Sequence, residues 1–304
     1  MVQEPLPNNP LPRLGRRGFL RHALFAGAAS VAVAGCGRSL AGTNAGAGDT
    51  LARIKREGAI KVAFANEAPY GFKNTGGDLV GEAPAVAREV FTRMGVPTLE
   101  GKLVEFGSLI PALQAGAVDV IAAGMYITPE RCGQIAFSEP DYCGKSAFLV
   151  RKGNPDGIKT YDDVAKAGIR LGVVGGAIEV TYAEGAGVKN LVSFTDSASG
   201  FEGLTANRID AFSLTSITLR FLLDNREGLD LEVTEPFVPV VDGKPQTGCG
   251  GYGFRPADAD LLEEFNSHLG DLKDSGDLLE IIEPYGFSKA ELPTDQTTKS
   301  LCSG

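Results

Sequence analysis

The stretch Gly124-Met-Tyr-Ile-Thr-Pro-Glu-Arg131, followed by Phe137-Ser-Glu-Pro-Asp-Tyr142, carries most of the information about the fold of this chain. Directly before it, the apolar run at residues 120–123 predicts a buried β-strand. Because threonine and proline follow that strand, the chain is expected to turn at once into a short helix. The stretch therefore places one arginine, Arg131, at the start of a helix and close to a strand end.

Arg131 has two interpretations. Thr128 can cap the helix and Pro129 suits its first position, so Arg131 lies in the first turn, where the helix dipole disfavours a cation. A guanidinium in this place is suited to bind a ligand carboxylate through two parallel hydrogen bonds. It could equally be a surface side chain paired with Glu130 or Glu139, and the spacing alone leaves both interpretations open.

The first residues of the chain have the composition of an export signal. Arg16-Arg17-Gly-Phe-Leu-Arg21 is a twin-arginine pattern, and the apolar run at residues 23–35 is too short to span a bilayer. The run ends in Val33-Ala-Gly-Cys36, which resembles a lipoprotein cleavage box. The sequence therefore predicts a twin-arginine lipoprotein signal peptide at residues 1–35 and a lipid on Cys36. An ordinary amphipathic helix is the alternative.

Residues 36–49 are rich in small and polar residues, which is typical of a flexible tether. The protein is thus expected to be exported and held by lipid on the outer face of the cytoplasmic membrane. Residues 1–35 carry four arginines and one glutamate, so their removal would leave 269 residues and shift the net charge from −9 to −12. That length allows two lobes with cores of their own. The acidity argues against a nucleic-acid partner, which needs a basic face.

No metal site or other cofactor is expected. The sequence contains only two histidines, His22 and His268, and no C-x-x-C motif. Metal sites built from cysteine and histidine need several such ligands close together.

Strand and helix patterns alternate along the rest of the chain. Strands are predicted at residues 60–64, 103–106, 119–123 and 170–174, and helices at residues 86–94, 109–115 and from about Glu179. This alternation predicts an α/β fold with mostly parallel sheets covered by helices. Leu113-Gln-Ala-Gly-Ala-Val-Asp119 has a counterpart in Leu204-Thr-Ala-Asn-Arg-Ile-Asp210, and both lead from a helix into a strand. We interpret the two segments as equivalent corners of two similar lobes.

Two lobes are predicted, lobe 1 at residues 50–149 and 253–304, and lobe 2 at residues 150–252. The chain is expected to cross between them near residues 148–151 and 251–255, which would form a hinge. In lobe 2, Gly175-Gly-Ala177 lies between a strand and a helix, a corner that can bind an anion or simply turn tightly. Gly248-Cys-Gly-Gly-Tyr-Gly253 matches G-x-G-x-x-G, but no helix pattern follows it, so a dinucleotide site is not predicted.

The stretch that ends at Arg131 resembles the signature of the extracellular solute-binding proteins of ABC importers for polar amino acids, and the resemblance extends over residues 51–287. It implies a two-lobed clamp of the type II periplasmic-binding-protein kind, each lobe a mostly parallel sheet flanked by helices. It implies that Arg131 binds the ligand carboxylate. It also implies a monomer that is not an enzyme and whose partners are the permease and ATPase subunits of an ABC importer.

Several segments resemble the ectoine/hydroxyectoine-binding subgroup of this family: Ala65-Asn-Glu-Ala-Pro-Tyr-Gly-Phe72, Gly124-Met-Tyr126, the cysteine positions, and Ile281-Ile-Glu-Pro-Tyr-Gly-Phe287. Tyr126 stands where ordinary amino-acid binders of the family carry Thr or Ser. Those proteins also carry an Asp near Thr215 that receives the ligand ammonium, and this chain has none there. The resemblance implies ectoine or hydroxyectoine as the ligand, with a polar amino acid as the alternative.

The ligand contacts implied by this resemblance come from both lobes. They are Glu67, Tyr70, Phe106, Tyr126 and Arg131 in lobe 1, and Gly176, Ala177, Ile178 and Thr215 in lobe 2. Glu67 would accept hydrogen bonds from the ring amidinium of the solute. The three aromatic side chains would enclose the ring and attract its cation by roughly 0.5–2 kcal/mol each.

Three of the lobe 2 contacts, Gly176, Ala177 and Ile178, would serve the carboxylate of the solute. The backbone amides at residues 176–178 would complete its shell, although the subgroup commonly has a hydroxyl residue where Ile178 stands. The alternative for each aromatic side chain is core packing, above all for Phe106, which falls on a predicted strand.

Four cysteines follow Cys36, and an even count in an exported protein suggests two disulfide bonds. Three pairings are possible. Proximity in sequence and the family resemblance favour Cys132–Cys143, which would close a loop around residues 137–142, and Cys249–Cys302, which would fix the C-terminal tail.

Two other function classes stand beside a solute receptor. A cyclohexadienyl dehydratase shares the implied architecture, and such an enzyme would need a carboxylic acid as proton donor in the cleft, for which Glu67 is the obvious candidate. A sensor domain would need a transmembrane helix and a signalling module, and the sequence shows no pattern for either. The solute receptor of an importer is the favoured prediction.

Overall fold

The computed structural model describes residues 49–226, 228–241 and 243–303. The predicted signal peptide, the predicted lipidation residue Cys36 and all but the last residue of the predicted tether lie outside the described residues. Within the described ranges, no helix has both the length and the apolar character needed to cross a membrane.

The described residues form fifteen strands, eleven α-helices and three short 3-10 helices. The strands are β1 Ala59–Phe64, β2 Phe72–Lys73, β3 Leu79–Val80, β4 Thr98–Leu103, β5 Val120–Tyr126, β6 Ala136–Phe137, β7 Tyr142–Gly144, β8 Ser146–Arg151, β9 Leu171–Val174, β10 Leu191–Phe194, β11 Ala211–Thr215, β12 Leu231–Val233, β13 Val240–Val241, β14 Lys244–Pro245 and β15 Gly248–Phe254. The α-helices are α1 Thr50–Glu57, α2 Glu82–Arg93, α3 Leu109–Gln114, α4 Pro129–Cys132, α5 Tyr161–Ala167, α6 Ile178–Gly185, α7 Ser197–Thr205, α8 Ser216–Asp224, α9 Ala259–Ser275, α10 Asp277–Ile282 and α11 Thr298–Ser303. The 3-10 helices are Phe106–Ser108, Glu283–Tyr285 and Lys289–Glu291.

Two sheets organise the molecule. The first has the order β4-β1-β5-β15-β6, with β7 also paired to β15. The second has the order β10-β9-β11-β8-β12. All strands of the first sheet except β15 run in one direction, and the same holds for the second sheet except β8. The predicted two-lobed α/β fold is therefore confirmed, and each lobe has one strand that opposes the others.

The core of the first lobe follows from helical periodicity. In α2, the side chains of Val86, Val90 and Phe91 recur on one face and are fully buried, as expected of an amphipathic helix on a sheet. Phe91 packs on Phe265 of α9, with the ring centroids 5.3 Å apart. The helix ends at Arg93, and Gly95 follows with φ +81°, a conformation that favours glycine.

One predicted strand was wrong. The strand lies at Thr98–Leu103 instead of residues 103–106, and Phe106 begins a 3-10 helix. The reason is that β4 is an edge strand whose residues are largely exposed, Leu103 to 58%. Such a strand lacks the alternation of buried apolar residues on which the prediction depended. Phe106 is thus not a strand residue but the first residue of the 3-10 helix that follows β4.

The predicted crossings between the lobes also need correction. β7 pairs with β15 in the first sheet, whereas β8 pairs with β11 in the second, so the first crossing is at Lys145. The chain returns between β14 and β15, before Gly248. Both crossings precede the predicted ones, because residues 148–151 belong to β8 and residues 251–254 belong to β15.

The predicted disulfide pairing was wrong. The bonds are Cys132–Cys302 and Cys143–Cys249, with Cα–Cα distances of 5.7 and 3.9 Å. Cys143 lies opposite Cys249 in the antiparallel pairing of β7 with β15. Cys132 meets Cys302 because α11 packs against α4. Tertiary packing thus overrides proximity in the sequence.

Candidate functional site

Arg131 is positioned by the short helix α4. The helix starts at Pro129, and the side chain of Thr128 accepts a hydrogen bond of 3.2 Å from the backbone N–H of Arg131. This cap and the proline fix the first turn, as the sequence predicts. The Arg131 residue is only 8% exposed.

The guanidinium of Arg131 binds backbone carbonyls instead of a carboxylate. Nη1 donates to the carbonyl of Tyr126 at 2.8 Å, and Nη2 donates to that of Gly176 at 3.0 Å. Its Cζ lies 5.5 Å from the centroid of the Phe106 ring. None of the ion pairs formed by the described residues includes Arg131. Burial lowers the pKa of this group, so the cation lies in a place where an anionic partner would stabilise it.

The surface interpretation of Arg131 is therefore excluded. Glu139, one of its two proposed partners, instead accepts a hydrogen bond of 3.1 Å from the backbone N–H of Thr298 in α11.

Arg131 faces a small cavity with an atom-free volume of about 310 Å³. Eight of the nine residues predicted for the ligand line it: Glu67, Tyr70, Phe106, Tyr126, Arg131, Ala177, Ile178 and Thr215. The ninth, Gly176, lies at its edge and contacts Arg131. Gly124, Glu179 and Leu214 complete the lining.

The aromatic side chains of the cavity wall are held by close packing. The Tyr70 ring lies 4.9 Å from that of Tyr142, centroid to centroid. Gly124 has φ +61°, and a Cβ there would come within 2.5 Å of the Tyr70 ring. Tyr126 is 5% exposed, and its hydroxyl has no hydrogen-bond partner among the described residues. Glycine at position 124 is thus required for the ring of Tyr70 to reach the cavity.

Glu67 is a second buried charged group in the lining of this cavity. It follows β1 and is 8% exposed, with its backbone N–H and carbonyl both paired to Gly71. Burial raises the pKa of Glu67 to about 7, and the hydrogen bond from Thr218 partly opposes this rise. A nearby cation would stabilise its charged form.

A chain of hydroxyl groups connects the two lobes beside Glu67. The Tyr70 hydroxyl donates to Thr215 Oγ1 at 3.1 Å, and Thr215 Oγ1 donates to Thr218 Oγ1 at 3.1 Å. The Thr218 hydroxyl then donates to Glu67 Oε1 at 3.0 Å. Thr215 also caps α8 by accepting from the Thr218 N–H at 3.3 Å. Thr215 is therefore a cap and a link, in addition to lining the cavity.

The glycine corner of lobe 2 approaches lobe 1 closely. A Cβ on Gly176, whose φ is +79°, would lie 2.6 Å from the Cα of Gly107. Helix α6 then begins at Ile178, one residue before the predicted start, and Ala177 caps it without a side-chain hydrogen bond. The Ala177 N–H donates to the Val174 carbonyl at 3.1 Å. Of the three amides predicted for a carboxylate, that of Ala177 is therefore already engaged.

Glu179 is a cavity residue that the sequence did not single out. It lies in the first turn of α6, is 2% exposed and lines the same cavity as Glu67 and Arg131. Burial raises its pKa to about 8, the Glu67 charge adds to the rise, and Arg131 opposes it. An acid in a first helical turn is common, so only its place directly after the glycine corner could have indicated a role in the cavity.

Comparisons with known proteins agree with this architecture. Residues 60–289 match the family described as bacterial extracellular solute-binding proteins, family 3. A probable amino-acid ABC transporter periplasmic-binding protein of Sinorhizobium fredii (strain NGR234) is 34% identical over 262 residues, which cover 84% of this chain and 86% of the relative.

Two solved structures are also similar. The crystal structure of EhuB in complex with hydroxyectoine has a TM-score of 0.77 and 38% identity, and the match covers 84% of this chain and 98% of EhuB. An ancestral arginine-binding protein bound to arginine has a TM-score of 0.67 and 30% identity, with 75% and 98% covered. The fold, the cavity and the family match together identify the chain as a member of the bacterial extracellular solute-binding proteins, family 3.

Proposed function

We propose that this protein is the solute-binding component of an ABC importer and that it captures ectoine or hydroxyectoine in the cavity beside Arg131. The single observation that carries the proposal is the buried Arg131 guanidinium, which has no ion-pair partner among the described residues and faces an aromatic-walled cavity with Glu67 in the same lining. The arrangement fits a compact zwitterion.

The anionic end of such a solute would bind Arg131. Two guanidinium N–H groups already hold backbone carbonyls, which fixes the orientation of the planar fork. An arginine that is oriented in this way recognises a carboxylate better than a flexible lysine would. Because the guanidinium is buried, the lower polarity around it would strengthen the pair.

The cationic end would lie against Glu67 and the aromatic walls. Tyr70, Phe106 and Tyr126 line the same cavity, and a delocalised cation is attracted to the faces of aromatic rings. The strand end at Ser213–Thr215 carries hydroxyls instead of a carboxylate, and the Ser213 hydroxyl is engaged with that of Tyr161 at 2.7 Å. This favours an amidinium over the ammonium of an ordinary amino acid.

The similarity to the hydroxyectoine complex of EhuB supports this assignment, at 38% identity. The second candidate ligand is a polar amino acid, because the other similar proteins are described as amino-acid or arginine binders. An enzyme of the cyclohexadienyl-dehydratase type is the third candidate, for which Glu67 would be the proton donor. Turnover of prephenate or arogenate by the purified protein would support that candidate.

We also propose export by the twin-arginine route and a lipid anchor on Cys36, with the importer's permease and ATPase subunits as partners and the protein acting as a monomer. The twin-arginine pattern and the Val33-Ala-Gly-Cys36 box support this.

A thermal-shift screen tests the ligand assignment. Ectoine, hydroxyectoine, betaine, proline and the common amino acids are compared at one concentration. A solute at 100 times its dissociation constant stabilises the folded protein by about 2.7 kcal/mol. Ectoine or hydroxyectoine should give the largest shift. A larger shift with an amino acid, and none with either ectoine, would favour the second candidate.

A further inference from the structure

Two carboxyl groups face the cavity that holds one arginine. Glu67 is 8% exposed and Glu179 is 2% exposed, and both line the cavity with Arg131. Glu67 accepts a hydrogen bond from Thr218. Glu179 forms no ion pair with any described residue, and its own backbone N–H is the donor beside it. The Glu179 carboxyl is therefore buried in the cavity wall without an ion-pair partner among the described residues.

The two carboxyls reach the cavity from different lobes. Glu67 lies in the loop after β1, and Glu179 lies in the first turn of α6. The charge of Glu67 raises the pKa of Glu179 and the charge of Arg131 lowers it, and the charge of Glu179 in turn raises the pKa of Arg131. Glu179 therefore lies where it interacts with both groups.

Charge balance decides what the second carboxyl can do. A solute carboxylate would neutralise Arg131, which leaves two acids facing the rest of the solute. A buried carboxyl is stable either as the neutral acid or beside a cation. An amidinium or guanidinium spreads one positive charge over several N–H groups that point in different directions, so it can donate to two carboxylates at once. An ammonium concentrates its charge on one nitrogen and needs acceptors arranged around that point.

We infer that Glu67 and Glu179 together form a two-carboxyl subsite for one delocalised cation of the solute, and that Glu179 is a specificity-determining residue. This inference rests on the proposed function, because it deepens the assignment of the same cavity. With Glu67 in lobe 1 and Glu179 in lobe 2, the solute cation would contact both lobes and hold them together.

The subsite predicts that solute binding releases protons. The pKa values of Glu67 and Glu179 are raised to about 7 and about 8, so near neutral pH both carboxyls are partly protonated. A cation placed between them favours their charged forms and drives those protons off. The other ionisable groups facing Glu179 include Arg131 of α4, Tyr182 of its own helix and Tyr161 of α5. Tyr126 of β5, on which the Glu179 charge also acts, has its pKa raised by burial and stays neutral.

A purely structural role for Glu179 makes a different prediction. An acid in the first turn of a helix interacts favourably with the helix dipole. Loss of that interaction would lower the melting temperature of the protein without changing the number of protons released on binding. The matched control is Glu184, which lies on the same helix and is exposed.

The experiment is titration calorimetry of the full protein at pH 7.5, in two buffers that differ in ionisation enthalpy. The probes are ectoine, with an amidinium, arginine, with a guanidinium, and glutamine, with an ammonium alone. We expect Glu179→Gln to weaken ectoine binding about tenfold or more and to release at least about 0.5 proton fewer per solute than the wild type. Glu184→Gln should match the wild type in both.

The outcomes separate this inference from the proposed function. Tight ectoine binding that Glu179→Gln leaves unchanged in affinity and proton release overturns the inference alone. Wild-type binding without proton release overturns it even if the variant does not fold. Binding of glutamine but neither ectoine nor arginine overturns both. Binding of arginine instead of ectoine, with the same loss in Glu179→Gln, overturns the ectoine assignment and supports the two-carboxyl subsite. Absence of binding by all three probes contradicts both.

Discussion

The hydroxyl of Thr218 donates a hydrogen bond of 3.0 Å to Oε1 of Glu67, and so joins helix α8 of one lobe to the loop after β1 of the other. Tyr70 and Thr215 make a second link of 3.1 Å beside it. Both contacts need the lobes to be close together. The residue proposed to bind the solute cation is thus also a point of closure, and ligand binding and closure would be coupled there.

This contact can be removed almost without a change of shape. Thr218→Val replaces the hydroxyl by a methyl group and leaves the carboxylate of Glu67 without its donor. A hydrogen bond to a charged group is worth about 1.5–3 kcal/mol, so ectoine affinity should fall about tenfold or more. Calorimetry measures the loss. The matched control is Thr181→Val, at an exposed position of α6; equal affinities in the two variants would contradict the role of the contact.

Gly124 offers a test of the aromatic wall. Gly124 and Gly116 have similar backbone conformations, with φ values of +61° and +69°. A Cβ on Gly124 would collide with the Tyr70 ring, whereas a Cβ on Gly116 would have no other atom within 4 Å. Both alanine variants should lose about 1–2 kcal/mol of stability through backbone strain. Gly124→Ala should lose about 1–3 kcal/mol more through overpacking and should also lose solute affinity. Denaturant unfolding measures the loss of stability, and calorimetry measures the loss of solute affinity. Normal solute binding by Gly124→Ala would show that Tyr70 only packs in the core and does not contact the solute.

The raised pKa of Glu67 predicts a pH dependence of stability. The folded-state pKa is about 7, against an ordinary value of 4.5, so the folded protein holds this proton more tightly than the unfolded chain. Its contribution is therefore fully present below about pH 4.5 and is lost as the pH rises to about 7. The loss is on the order of 3 kcal/mol.

Glu67→Gln cannot titrate at this position and should lack this component of the pH profile. The measurement is the free energy of unfolding of the ligand-free wild type and variant from pH 4 to pH 8. Parallel profiles for the two proteins would show that Glu67 has an ordinary pKa.

The two disulfide bonds predict which cysteine peptides are joined and how much stability the protein loses when one bond is removed. Peptide mapping without reduction should recover Cys132 joined to Cys302, and Cys143 joined to Cys249. Replacement of both Cys132 and Cys302 by serine should lower the free energy of unfolding by about 2–5 kcal/mol. Each kcal/mol lost should lower the melting temperature by about 2–4 °C. A Cys132–Cys143 peptide would contradict this connectivity.

The sequence predicts best where the chemistry is local. The strand, cap and proline before Arg131 lie within one short segment, and the structure places Arg131 where that segment predicts. Likewise, the fold class follows from the alternation of strand and helix patterns. These signals need no knowledge of which distant segments meet.

The errors have the opposite origin. Cys132 pairs with Cys302 across 170 residues, and only the packing of α11 on α4 determines that pair. Phe106 was assigned to a strand because the exposed edge strand β4 lacks an apolar pattern. The only local sign for Glu179 is its place after the glycine corner, and its burial arises where α6 of lobe 2 meets lobe 1 at the cavity. Long-range contacts and closure of the lobes thus decide what the sequence pattern alone does not.

Titration calorimetry of wild type and Arg131→Ala tests whether this protein binds ectoine through Arg131. The solutes are ectoine, arginine, glutamine and histidine. The wild type should bind ectoine and bind the amino acids far more weakly, and Arg131→Ala should lose about 2–5 kcal/mol of ectoine binding while it stays folded. Arg56→Ala, at an exposed position, should bind as the wild type does. Near-normal ectoine binding by Arg131→Ala would contradict the role of Arg131. Tight binding of an amino acid by the wild type, with no binding of ectoine, would contradict the ectoine assignment.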